Sequence, residues 1–287
     1  EQEKKESEHM KFTRDDGRFK YKGECTRIAI PDDKRDDYEI TKFSHNAWSG
    51  ARHYWVPDGE GKLRVITGEV RYIGGWKKGV RHGKGEGDFE MKDVSGVYSG
   101  DWKNGKPHGN GKFLTKRFTY EGGWKDGMRS GFGDYLKELL HYTGDWLEDK
   151  KHGYGIAIYA DGTRFEGEWE ADQRSGFGVC RYPDGSIYTG EWVDNQRHGT
   201  GTSIYSNGNR YVGAWYKDMK QGQGILYGAL HQKLYEGKWW RNKRHGQGTA
   251  WFLETGDRYD GEWFLGKQHG EGDWTGSDGS SYKGSYV

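Results

Sequence analysis

Residues 165–187 read FEGEWEADQRSGFGVCRYPDGSI, and residues 188–210 read YTGEWVDNQRHGTGTSIYSNGNR. Laid over one another, the two stretches share an aromatic (Phe165, Tyr188), a glycine two residues on and a tryptophan four residues on (Trp169, Trp192). They also share a basic residue five positions after the tryptophan (Arg174, Arg197), followed by Gly-x-Gly. Aromatic, Gly and Trp at i, i+2 and i+4 point to one face of a strand, and the charged or small residues between them point to the other. That alternation marks a strand with one buried face and one wet face. Three residues after Trp stands Asp172 or Asn195, types that tolerate a left-handed backbone, so the chain turns there. Gly-x-Gly then opens a return strand that ends at Asp184-Gly185 or Asn207-Gly208, both hairpin signals. One copy is a β-hairpin with a connection.

The frame extends in both directions. Tryptophan recurs at Trp76, Trp102, Trp124, Trp146, Trp169, Trp192, Trp215, Trp239 and Trp263, at intervals of 22 to 26 residues. An aromatic stands four residues before each one, from Tyr72 to Tyr259, and a glycine two residues before. The turn position is always Gly, Asp or Asn, from Gly79 to Gly266. A truncated tenth copy begins at Tyr282-Lys-Gly284. A single hairpin cannot bury two rings against anything of its own, but stacked hairpins pack each copy's rings on the next. The expected fold is all-β, an elongated single-layer solenoid of stacked β-hairpins over residues 59–287. Residues 1–58 read as an irregular N-terminal region. It holds one degenerate copy, Tyr21-Lys-Gly23-Glu-Cys25, with Cys in the Trp place, and an insertion or cap over residues 26–57.

Composition agrees with positional use of glycine. The 287 residues include 49 Gly but only 4 Pro, with 14 Trp, 20 Tyr and 11 Phe. A mean hydropathy of −1.13 would suit disorder, but the disorder signature also needs high net charge and few aromatics. The 45 Lys and Arg balance 44 Asp and Glu, a net charge of +1, which argues against nucleic acid as the main partner. No apolar run is long enough for a transmembrane helix. Cys25 and Cys180 form no disulfide framework, which points to a reducing cytoplasmic setting.

The motif Tyr-x-Gly-x-Trp, a turn, then His-Gly-x-Gly resembles the MORN (membrane occupation and recognition nexus) repeat. Phe165-Glu-Gly-Glu-Trp169 through His198-Gly-Thr-Gly201 carries the resemblance, which covers about residues 59–287. It implies stacked hairpins and a scaffold rather than an enzyme. Chains of nearly pure repeats in this family resemble cytoskeletal and ciliary components, including radial-spoke and other axonemal proteins. Other members imply a membrane tether or the regulatory arm of a larger enzyme.

No catalytic, cofactor or metal residue is assigned from the sequence. His82, His108, His152, His198, His245 and His269 share one repeat position, but two strand spacings, about 9.6 Å, separate neighbours too widely for one zinc. A turn-fixing role is the plainer reading. The glycines lack the strand-to-helix setting of a phosphate loop, and Tyr135–Leu140 is the single stretch with an ambiguous helical period. Two lines of charge remain. Arg81, Arg129, Lys151, Arg174, Arg197, Lys220 and Arg244 recur five residues after Trp, and Asp101, Asp145, Glu168, Glu191 and Glu262 one residue before it. The bland expectation is that the two lines pair locally. The functional expectation is that the cations form a ladder for an acidic protein, such as a tubulin surface, or for anionic lipid. Trp240, Trp251 and Trp274 lie outside the core frame and read as candidate anchors. Expected partners are therefore proteins of a cytoskeletal or axonemal assembly, with anionic lipid the alternative. Pairing of two copies through Tyr282–Val287 stays open.

Overall fold

A computed structural model describes residues 7–13, 19–29, 53–65 and 70–287. The described residues form 22 strands, from Ser7–Thr13 to Ser281–Tyr286, and no helix. Two compact units divide the chain: Glu1–Glu138 with Trp146–Asp149, and Leu139–Asp145 with Lys150–Val287. Within each unit, strands run antiparallel to their neighbours in sequence, hairpin after hairpin. The stretch Tyr135–Leu140 is the end of one strand, a turn at residues 138–139 and the start of the next strand, so its apparent helical period has no structural counterpart. Most of the expected insertion lies outside the described residues. Its two ends, Thr26–Ala29 and His53–Pro57, are strand and pair with each other from Ala29↔His53 to Cys25↔Pro57.

The turns that follow the frame tryptophans have a two-residue loop with both residues at positive φ, the type I′ geometry that matches strand twist. Asp194 and Asn195 have φ of 50° and 67°, and Asn104 and Gly105 have 51° and 80°. The sequence pattern marks only the second of these residues. The first varies in type, and includes Ala171 and Leu265 at φ of 48° and 49°.

The packed face is built from rings. All nine frame tryptophans are at most 5% exposed. Rings of the Tyr position meet their own Trp and the Trp of the next copy edge-on, and Tyr259 meets Trp263 and Tyr286 in the same way. Tyr188 lies 5.2 Å from Trp192 and 5.4 Å from Trp215, and Tyr98 lies 5.1 Å from Trp102 and 5.2 Å from Trp124. Such T-shaped pairs each add about 0.5–1.5 kcal/mol beyond burial. Indole N–H groups cross to the preceding copy: Trp192 Nε1 donates to Gly178 O at 3.3 Å, and Trp124 Nε1 to Gly111 O at 3.1 Å. Tyrosine hydroxyls donate back to their own strand, Tyr188 to Glu191 O and Tyr120 to Gly123 O. The degenerate copy behaves like the others: Tyr21 donates to Glu24 O at 3.0 Å and stands 5.4 Å from Trp76, and Cys25 is fully buried.

Glycines make this possible. In register they face one another strand after strand, as in Gly178↔Gly190, Gly190↔Gly201 and Gly201↔Gly213. The tyrosine ring lies flat across this line, and a Cβ at Gly201 would collide with the Tyr188 hydroxyl.

Candidate interaction surface

The seven recurrent cations lie on the packed face, over rings. Arg174 is centred 4.3 Å from the Trp192 ring, Arg197 4.4 Å from Trp215, and Arg244 4.9 Å from Trp263. Lys151 and Lys220 place Nζ 4.3 Å from Trp169 and 4.5 Å from Trp239. In the first unit Arg81 sits 4.9 Å from Trp102, and Arg129 4.0 Å from Trp146. Each cation thus covers the tryptophan of the next copy, a cation–π contact worth about 0.5–2 kcal/mol. Arginines also bond the next turn: Arg174 Nη2 donates to Asn195 O at 2.8 Å, and Arg197 Nη2 to Asp218 O at 3.1 Å. The turn side chain returns the bond, Asn195 Oδ1 accepting from Arg174 N and Asp218 Oδ1 from Arg197 N. The side chains of Arg129 and Arg197 are 12% and 22% exposed. Burial holds Arg81 and Arg244 below the ordinary guanidinium range, and brings Lys220 down to about 8, with Arg197 and Arg244 as further causes.

The acids before Trp do not pair with these cations, which lie on the opposite face. Within a hairpin the two strands carry a bulge at the Gly-x-Trp step, and the bulge leaves a backbone N–H without a ladder partner. The carboxylate accepts it: Phe177 N donates to Glu168 Oε1 at 3.1 Å, Thr200 N to Glu191 Oε1 at 2.8 Å, and Asn110 N to Asp101 Oδ2 at 3.1 Å. The Thr200 hydroxyl, donating to Glu191 Oε1 at 2.7 Å, and then the Thr200 amide hold Glu191 below the usual carboxylate range. Local pairing of the two charge lines is therefore corrected to two separate local roles, set by strand alternation. The histidines vary: His108 Nδ1 accepts from Asp126 N at 3.4 Å, and His198 lies 5.0 Å from the Tyr216 ring. Among the described residues no cluster of three or more His, Cys, Asp or Glu has metal-binding geometry, and no helix is long and apolar enough to cross a membrane.

The outer face, opposite the ring ladder, differs along the chain. In the first unit its central cross-strand row runs Glu86, Ser99, Lys112, Glu121, Asp134, with Lys112 and Glu121 paired at 3.0 Å. In the second unit the same row holds an uncharged, half-buried stretch, Val179, Thr189, Thr202, Val212 and Ile225, between Glu166 on one side and Glu236, Thr249, Asp260 and Asp273 on the other. The residue directly after Trp also faces outward. It is Lys77, Lys103 and Lys125 early in the chain and Val193, Tyr216, Trp240 and Phe264 late in it. The latter four are 46%, 42%, 41% and 52% exposed. Trp251 and Trp274 are half-buried, and Trp274 with Phe252 and Leu234 lines a cleft of about 640 Å³ near the connections. The sequence reading selected Trp240 but missed Val193, Tyr216 and Phe264, although position in the repeat would have found them.

An antiparallel series of hairpins held by a tyrosine–tryptophan ladder defines a β-hairpin repeat protein. The MORN repeat profile matches residues 72–86, 98–115, 120–137, 142–164, 165–187, 188–210, 211–229, 235–252 and 259–281. The chain belongs to the MORN-repeat family. No curated relative matches it. Among solved structures, it is similar to the TCP domain of Drosophila melanogaster SAS-4 (dCPAP), in complex with a proline-rich motif of Ana2 (dSTIL), at 11% identity over 70% of this chain and 90% of that one. The TM-score is 0.27, too low for that likeness to bear on this chain.

Proposed function

We propose that the chain is a non-enzymatic scaffold making extended protein–protein contacts in a cytoskeletal assembly such as the axoneme of a cilium or flagellum. The observation that carries this reading is the outer face of the second unit, where Val193, Tyr216, Trp240 and Phe264 are exposed in one repeat position, the first two on strands that also carry the uncharged stretch from Val179 to Ile225. Exposed apolar rows of this kind mark interaction sites. Repetition supports the same reading, because one surface position recurs once per hairpin and suits a long partner. The axonemal setting rests on the resemblance of nearly pure repeat chains to such components. The packed-face cations enter this reading as parts of the ring ladder, with only their outer edges left for an acidic partner.

The test is detergent fractionation of cells expressing the tagged full-length protein, followed by cross-linking. Retention in the insoluble cytoskeleton, with cross-links from the outer face of the second unit, is the expected result. Release with the membranes, or sustained turnover of a defined substrate by the purified chain, would overturn it.

A further inference from the structure

Tyr216, Trp240 and Phe264 occupy the same outward position in three successive hairpins, with Val193 one hairpin earlier. Neighbouring members are two strand spacings apart, about 9.6 Å. The row is not isolated. Between its members stand histidines: His198 lies 5.0 Å from Tyr216, and His245 lies 6.4 Å from Trp240 and 5.5 Å from Phe264. Gln221 holds the histidine place between Tyr216 and Trp240, so the rings fall into two aromatic groups along one line. Cations fringe it at the turns. Lys217 Nζ is 5.4 Å from the Tyr216 ring, and Arg241 is centred 5.6 Å from the Trp240 ring. Lys243 and Lys267 stand directly across the turns from Trp240 and Phe264, and Lys238 precedes Trp240 on the same face. The opposing charges are Asp194 at a turn, Glu191 and Glu262 two residues back along the strands, and Glu236 and Asp260 four residues back; Asp218 is engaged with Arg197 at 2.9 Å, Glu236 with Lys233 at 2.6 Å and Asp260 with Arg258 at 2.6 Å.

We propose that this row is a docking surface for an acidic amphipathic helix of a partner protein. The inference rests on the scaffold reading and names the chemistry of its partner. Side chains seven residues apart on a helix are about 10.5 Å apart on one face, close to the repeat of the row. Apolar residues at that spacing meet Tyr216, Trp240 and Phe264, and flanking carboxylates meet the cationic fringe. A flat anionic membrane fits less well. Laid on the row, it would press on Glu191 and Glu262, which point outward two residues back along the same strands as Val193 and Phe264. A helix about 10 Å wide covers only the row.

The test uses the full chain and a fluorescein-labelled synthetic helix of about 21 residues, with Leu at every seventh position and Glu beside it. A second peptide replaces each Glu by Lys, and vesicles of phosphatidylcholine and phosphatidylserine serve as the membrane probe. The acidic helix should raise anisotropy on binding, and the Lys peptide should bind at least about tenfold more weakly. Trp240→Lys with Phe264→Lys should weaken the acidic helix by at least about tenfold with an unchanged thermal melt, since Lys77, Lys103 and Lys125 already occupy this position. Arg241→Glu with Lys267→Glu, at exposed turns, should weaken it too. Equal binding of the two peptides, binding indifferent to both double variants, or binding of vesicles but not peptide would overturn the proposal. Cross-links that persist elsewhere on the outer face after such a failure would leave the scaffold reading standing.

Discussion

The two units share one face and differ on the other. On the packed face, Tyr98, Trp102 and Trp124 repeat the geometry of Tyr188, Trp192 and Trp215 to within a few tenths of an ångström. On the outer face, Lys103 and Lys125 stand where Trp240 and Phe264 stand later in the chain. Charged Glu86, Lys112, Glu121 and Asp134 run through the first unit's central row, where the second unit has an uncharged stretch from Val179 to Ile225 between Glu166 and Glu236. The packed face is constrained by ring-on-ring contact in every copy. The outer face meets solvent, and nothing in the hairpin itself requires it to be apolar. Apolar residues there need another cause, and an outside partner supplies one.

The largest expected effect tests the shared face. Trp102→Ala and Trp192→Ala should each cost about 3–5 kcal/mol by urea unfolding of the full chain. A loss below about 1 kcal/mol at either site would break the equivalence of the units. Charge reversal comes next. Arg81→Glu and Arg197→Glu should each destabilise by about 2 kcal/mol, because each loses a cation–π contact and sets a carboxylate against ring faces. Reversal that abolishes partner binding with no loss of stability would instead make these cations part of a partner site.

Smaller effects sharpen the comparison. The amine of Lys220 faces Tyr205, Tyr211 and Trp239, with Arg197 and Arg244 nearby, and its folded value is about 8 against an ordinary 10.5. Burial penalises its charged form, so this group opposes folding below about pH 8. Above that pH the folded state releases the proton while the unfolded chain still holds it, and the penalty fades toward pH 10.5. Lys220→Met should therefore melt higher than the parent at pH 7, with the gap narrowing by pH 9.5. A constant gap would show that the amine stays charged in the fold. At the turns, Leu265→Asn should gain up to about 1 kcal/mol, and Asn104→Leu should lose a similar amount, since both positions hold a left-handed backbone. Insensitivity at both would mean that the turns relax without cost.

Much of the fold was legible because the hairpin repeats its constraints locally. Strand alternation shows in Phe165-Glu-Gly-Glu-Trp169, and the second turn residue shows in Asn195 or Gly105. The reach of a side chain into the next copy does not show. Arg197 reads as a surface cation, yet it lies over Trp215, eighteen residues on. Glu191 reads as solvated charge, yet it accepts the amide that a bulge sets free. Both outcomes depend on where the bulge falls between paired strands, and neither residue type announces it.

Sequence alone determined the period, the hairpin, the buried tyrosine and tryptophan positions, and the glycines that admit the rings. These follow from alternation and steric room, which operate within a few residues. Tertiary structure decided which tryptophan each cation covers, which amide each acid caps, and which outward residues align into the row Val193, Tyr216, Trp240, Phe264. Those outcomes depend on register between strands from different copies, and register is a property of the assembled sheet.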